Sequence, residues 1–152
     1  MKTKFLAAKL HCIRVTQTEL NYHGSITLDR EFLEVAGMKP LEFVCIWNKA
    51  NGKRFETYIL PGESGSKVCC LNGAAAHLVN EGDEVIIASY RYVDIEAEEK
   101  TISARVIIFG EDNEVENVIE QKTNIETGDF EESDLGNLIF EQPKRSGLSA
   151  TG

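Results

Sequence analysis

Short apolar runs separated by brief polar and glycine-containing breaks recur along the chain, the rhythm of many strands and few helices. Residues 9–16 interleave Leu10, Cys12, Ile13 and Val15 with polar residues, which predicts a strand with one buried face. Residues 26–28 form the next short run, and Asp29 then stands as an N-cap. The spacing of Phe32, Leu33 and Ala36 predicts a helix over 29–36, ended by Gly37 and Pro40. Residues 43–47 are apolar and rich in β-formers, and residues 54–60 alternate after Asn51-Gly52, so a hairpin is predicted between them. Alternation puts Arg54, Glu56 and Tyr58 on one face of the second strand and Phe55, Thr57 and Ile59 on the other. Further strands are expected at 67–71, 85–89 and 104–109, with one or two helical turns at 73–78. So many short strands predict a closed or nearly closed barrel, with a sandwich as the equal alternative on pattern alone.

Composition narrows the picture. At 152 residues the chain fits one domain with a real core. Acidic residues exceed basic ones by 25 to 16, but unevenly: residues 1–110 hold 14 acids and 13 bases, residues 111–152 hold 11 and 3. Without a basic stripe interleaved with aromatics, nucleic acid is not an expected partner. The opening Met1-Lys2-Thr3-Lys4-Phe5-Leu6-Ala7-Ala8 imitates a signal peptide, yet Lys9 and His11 stop it short of the ~7–15 apolar residues of an h-region. Nor does any stretch reach the ~20 apolar residues of a membrane span, so the chain reads as cytoplasmic, with no membrane partner. Cys12, Cys45, Cys69 and Cys70 read as reduced, buried small hydrophobes. A zinc site from His11, Cys12 and His23 lacks the paired ligands close in sequence that structural zinc uses, and no metal is expected. Residues 1–110 are read as the folded domain. Residues 111–152 are expected to be a largely disordered acidic extension, dispensable beyond about Glu120. Leu135, Leu138, Ile139 and Phe140 form a small apolar patch there that could dock on the barrel or on a partner.

Chemistry enters with Tyr22-His23-Gly24-Ser25. In a strained turn, a serine Oγ can attack the carbonyl before it to give an ester; β-elimination then frees the upstream chain, and hydrolysis leaves a pyruvoyl group at the former serine. Most Gly-Ser dipeptides are plain turns. Here the pair stands among Lys9-Leu10-His11, Trp47-Asn48, Asn51-Gly52-Lys53-Arg54-Phe55 with Thr57-Tyr58, Asn72-Gly73-Ala74-Ala75-Ala76, and Gly82-Asp83 with Val85-Ile86-Ile87-Ala88-Ser89. In that order, from residue 9 to about 89, these blocks resemble the pyruvoyl-dependent aspartate 1-decarboxylases. Two positions depart from that family: His23 stands where an acidic residue is common, and Cys12 where Arg commonly follows Lys-x-His.

The resemblance implies a six-stranded double-psi β-barrel with short helices, assembled as a homotetramer. It also implies self-cleavage between Gly24 and Ser25, unaided or with a maturation factor. The implied reaction converts L-aspartate to β-alanine and CO₂ through a Schiff base with the pyruvoyl group at Ser25, for pantothenate and coenzyme A synthesis. Tyr58 is then the proton donor to carbon, or simply an amphipathic hairpin aromatic. Arg54 and Lys9 would hold the substrate carboxylates, and Thr57, Gly73, Ala74 and Ala75 would line the pocket. Thr57 and Asn72 are candidates to support the oxyanion during cleavage, Asn72 being equally a turn residue. His11 orients Lys9 or water, or is a structural histidine; Trp47 is pocket wall or core; Tyr22 and Gly24 shape the cleavage turn. Two other readings stay open: a pyruvoyl decarboxylase of another small amino acid, and a silent barrel that binds a partner.

Overall fold

The computed structural model of the chain describes residues 1–137. It is mainly β: β1 (Lys2–Arg14), β2 (Gln17–Glu19), β3 (Ser25–Asp29), β4 (Phe43–Asn48), β5 (Arg54–Gly62), β6 (Cys69–Asn72), β7 (Glu84–Asp94), β8 (Thr101–Phe109), β9 (Val115–Asn124) and β10 (Phe130–Asp134). One short helix, α1 (Arg30–Ala36), and two 3-10 turns, Gly73–Leu78 and Glu111–Asn113, interrupt them. The strand order is β10-β9-β8-β1-β7-β4-β5-β3-β6-β2, so among the described residues the hydrogen-bonded sheet is open between β10 and β2. Ten described strands exceed the six of the expected barrel. Parallel pairs β1/β8, β2/β6 and β3/β5 mark crossovers that a simple meander lacks, and nothing in the order conflicts with a double-psi arrangement.

Local chemistry places these elements where the sequence pattern puts them. Asp29 caps α1 by accepting from the Glu31 amide at 2.8 Å, and Gly37 ends the helix in the left-handed region at φ 74°. The buried Asp29 carboxylate also accepts from the Gly65 and Lys67 amides, tying the helix start to the loop before β6. The β4/β5 hairpin has the expected register, with Cys45 opposite Glu56 and Trp47 opposite Arg54. Gly52 supplies the positive φ of its turn.

The core gathers Leu10, Ile13, Ile26, Leu28, Ile46, Ile59, Leu71, Ile87 and Ile107, each with no exposed surface. Phe32 of α1 packs edge-on against Phe109 of β8 at 4.8 Å between ring centres. Leu10 and Ile13, three residues apart, both point inward because a bulge falls between His11 and Ile13, with Cys12 at φ 65°.

Two expectations need correction. The segment 111–134, expected to be largely disordered, carries β9 and β10. β9 pairs with β8 from Thr101 to Phe109, and its Val115 and Val118 are buried in the main core, so acidic composition there decorates a strand's outer face. Asn113 fastens the segment's start: it accepts from the Arg14 amide at 2.8 Å and donates to the Arg14 and Lys67 carbonyls. Leu135 packs partly against the core, and its amide donates to the Val118 carbonyl. Of the expected apolar patch, Leu138, Ile139 and Phe140 lie outside the described residues. The signal-like start is the first half of β1. Finally, only Cys69 and Cys70 are buried; Cys12 and Cys45 are half-exposed, and all four are free.

Candidate active site

β3 begins at Ser25, and its neighbours fix how that residue is presented. β3 runs antiparallel to β6 with Ser25 opposite Asn72 and Thr27 opposite Cys70. Opposed residues and alternate residues share a face, so these four side chains point the same way. Ser25 is fully buried although Gly24 before it is exposed, so the Gly24–Ser25 bond sits where a surface turn dives into the sheet. The Asn72 side-chain amide donates to Ser25 Oγ at 2.8 Å and to Thr27 Oγ1 at 3.1 Å, and the Ser25 hydroxyl donates to the His23 carbonyl at 3.4 Å. Tyr22 and His23 stack edge-on in the exposed turn above.

Gly73 follows Asn72 with φ +65°, and a Cβ there would lie 2.7 Å from Gly24 Cα, 2.8 Å from Gly24 N and 3.0 Å from the Tyr22 carbonyl. The turn therefore rests on bare backbone at Gly73, and no side chain fits between them. Gly73 and Ala75 are buried and Ala74 is exposed at the start of the 3-10 turn. An open depression of about 430 Å³ adjoins this region, lined in part by Glu19, Tyr22, Thr27, Cys70 and Asn72.

On β5 the register Ile26–Ile59 in the parallel β3/β5 pair sets Ser25 and Tyr58, one residue earlier on each strand, on a common sheet face. Tyr58 is half-buried and its ring packs against Phe43 at 5.9 Å. Thr57, by alternation, points to the opposite, core side; it is 8% exposed and stands opposite Val44.

A second group lies along the same outward face. His11, Ile86, Trp47 and Arg54 form one row across β1, β7, β4 and β5. The Arg54 guanidinium stacks over the Trp47 ring at 4.8 Å. Lys9 starts the adjacent row, followed by Ala88, Cys45 and Glu56. His11 Nδ1 is buried without a hydrogen-bond partner among the described residues, and burial, with Lys9 and Lys49 adding to it, holds its pKa below the usual value. The structure thus brings Tyr22, Gly24, Ser25, Asn72 and Gly73 together, with Tyr58 on the same sheet face. Lys9 and His11 stand on β1, four places from β3 in the strand order, and no hydrogen-bonded pair joins those two strands.

Sequence reasoning missed Thr27 and Cys70 as neighbours of Asn72, because no local signal reveals that β3 and β6, more than forty residues apart, share a register. It also missed the Glu56 cluster. Tyr90 Oη donates to Glu56 at 2.6 Å and is pushed up to about 12 chiefly by that bond, while Lys4 sits 3.7 Å over the Tyr90 ring.

Residues 1–116 match the sequence model of the aspartate decarboxylase family. A protein of Xanthobacter autotrophicus named aspartate 1-decarboxylase is 54% identical over 112 residues, 74% of each chain. One of Bacillus licheniformis with the same name is 50% identical over 122 residues, 80% of this chain and 95% of its own. A third such protein, of Paramagnetospirillum magneticum, is 52% identical over 118 residues, 76% of this chain but 64% of its own, less than two thirds.

Proposed function

Because the chain belongs to the aspartate decarboxylase family, we propose that it decarboxylates L-aspartate to β-alanine and CO₂ after cutting itself between Gly24 and Ser25, serving pantothenate and coenzyme A synthesis. The observation that carries this reading is the environment of Ser25: a buried hydroxyl at the mouth of a strand, held by Asn72 at 2.8 Å, beside a glycine turn that rests on Gly73.

In the cleavage step Ser25 Oγ bonds to the Gly24 carbonyl carbon, the peptide C–N bond breaks, and the proton passes to the freed amine. β-Elimination of the ester releases residues 1–24 with a C-terminal carboxylate, and hydrolysis of the resulting enamine expels ammonia. The pyruvoyl group left at residue 25 supplies, when present, a ketone that accepts the electrons of the breaking C–C bond. This chain's residues fit such a group. The two N–H bonds of the Asn72 amide already point at residue 25 and Thr27, and the missing Cβ of Gly73 leaves the turn free to reach the position.

Tyr58, on the same sheet face as Ser25, donates the proton to the substrate carbon. Arg54, oriented by its stack on Trp47, takes a carboxylate with its planar fork. Lys9 supplies the second cation. The chain acts as a homotetramer, with the half-exposed outward face, where Phe43 is 58% exposed, as the surface a neighbouring copy would cover; β1 is not paired with β3, and a neighbouring copy is the source of Lys9 in this reading. Thr57 points to the core side and would serve the site only through the strand that carries Tyr58, while Ala74 and Ala75 allow close approach of their backbone.

Intact-mass spectrometry of the purified protein tests the reading. Two chains are expected, the larger blocked at residue 25, while Ser25→Ala stays full length and inactive. A Ser25→Ala protein that decarboxylates aspartate like the parent would overturn it.

A further inference from the structure

Asn72 does its work through the direction of its amide, and that direction is not fixed by the groups it serves. Turning an amide by 180° exchanges its oxygen and nitrogen with little steric change. The Ser25 and Thr27 hydroxyls, 2.8 and 3.1 Å from the Asn72 nitrogen, can each donate or accept, so they would satisfy either orientation. The asymmetric neighbour is Cys70, whose Sγ lies 3.3 Å from Asn72 Oδ1. A thiol is a weak donor and a weak acceptor, and because the Cys70 sulfur already has the Gln17 side chain as a hydrogen-bond partner, its hydrogen favours the amide with its oxygen toward sulfur. Building on the reading of Ser25 as the cleavage nucleophile, we propose that Cys70 is a positioning residue for self-cleavage: its S–H fixes the Asn72 amide so that both N–H donors face Ser25 and Thr27.

The consequence reaches the nucleophile. With Asn72 donating to Ser25 Oγ, the serine's own hydrogen has to point elsewhere, and the acceptor at hand is the His23 carbonyl. The chain of donors runs Cys70 to Asn72 to Ser25 to His23, ending on the turn whose bond is to be cut. In the reversed amide the serine hydrogen would point back at Asn72 and away from that turn.

Cys70 is suited to the task. It is 3% exposed on the floor of the depression beside Ser25. Burial first, with Glu19 and Glu81 contributing and Gln17 opposing, raises its pKa, so the sulfur keeps the hydrogen it donates.

The test is the rate of precursor cleavage, followed by intact mass in Cys70→Val, which keeps the volume and loses the donor, and Cys70→Ser, which keeps a donor. Cys70→Ala serves as a second donor-free variant should the valine not fit, and melting temperatures accompany each. Cys70→Val is expected to cleave about five- to tenfold more slowly, the scale of one lost weak hydrogen bond, and Cys70→Ser within about twofold of the parent. Donor-free variants that cleave at the parent's rate overturn the assignment, as does a Cys70→Ser slowed as far as Cys70→Val at an unchanged melting temperature. A parent that stays uncut removes the reading of Ser25 and this inference with it; a parent that is cut while all variants match it removes the role of Cys70 alone.

Discussion

Gly73→Ala separates the geometry of the cleavage turn from the identity of its nucleophile. The substitution adds one methyl group and leaves Ser25, Asn72 and Tyr58 untouched. Two costs follow from the structure. At φ +65° an alanine sits in the left-handed region, which disfavours it by about 1–2 kcal/mol. The new Cβ would also lie 2.7 Å from Gly24 Cα, where ordinary contact begins at 3.4 Å, so the turn has to retreat by 0.7 Å (3.4 minus 2.7) or Gly73 by as much.

Displacement of about 1 Å at a reacting centre can cost ~10²-fold in rate, so cleavage should slow by roughly 10–10²-fold. At ~2–4 °C per kcal/mol for a chain near this size, the strain should lower the melting temperature by about 2–8 °C. Gly24→Ala is the control, because a Cβ there meets nothing within 4 Å and its φ is not positive. A cleavage time course by intact mass, with thermal melts of both variants, decides between them. Gly73→Ala cutting at the parent's rate, or Gly24→Ala slowed as much as Gly73→Ala, would refute the idea that the turn rests on bare backbone at residue 73.

Two other perturbations act elsewhere. Tyr58→Phe should still be cut at Gly24–Ser25 but lose decarboxylation by roughly 10²–10⁴-fold, the usual contribution of a general acid, as read from aspartate turnover by fully cleaved protein; normal turnover there transfers the proton to another group. Truncation after Glu120 removes the end of β9, all of β10 and the Leu135 contact, uncovering the side of β8 that carries Ile102 and Ala104. The loss should be about 2 kcal/mol on the scale of one partly buried large side chain, visible in urea unfolding against a chain ending at Asn137; equal midpoints would return the segment to the status of a passive tail.

How much of this was legible beforehand depended on whether the signal was local. The α1 caps and the β4/β5 turn are written in neighbouring residues, Asp29 with Gly37 and Asn51-Gly52, and each was read correctly down to the faces of β5. Alternation set Tyr58 and Arg54 on a common face for the same reason. The site's interior was harder. That Asn72 meets Ser25 and Cys70 depends on a β3/β6 register between strands distant in sequence, which no periodicity within either strand can state. Thr57 illustrates the reverse: family blocks name it beside Tyr58, but the period of two that joins Tyr58 to the outer face commits Thr57 to the inner one.

The acidic segment failed for a physical reason that the same period explains. Counting charges over residues 111–134 averages the two faces of a strand, and the average looked too polar to fold. Face by face it is different. Val115 and Val118 reach the core while Glu114 and Glu116 stay in solvent, and the step of three between the valines is accommodated by the register shift at Ile108/Phe109. Two buried valines would be a weak anchor alone. They suffice because β8 already offers a free edge, so β9 gains a ladder of backbone hydrogen bonds over nine paired positions. Beyond it β10 is exposed at every position and carries Glu131, Glu132 and Asp134. Charge that argued for disorder as composition falls, on the outermost strand among the described residues, where it disfavours pairing of that edge with another strand.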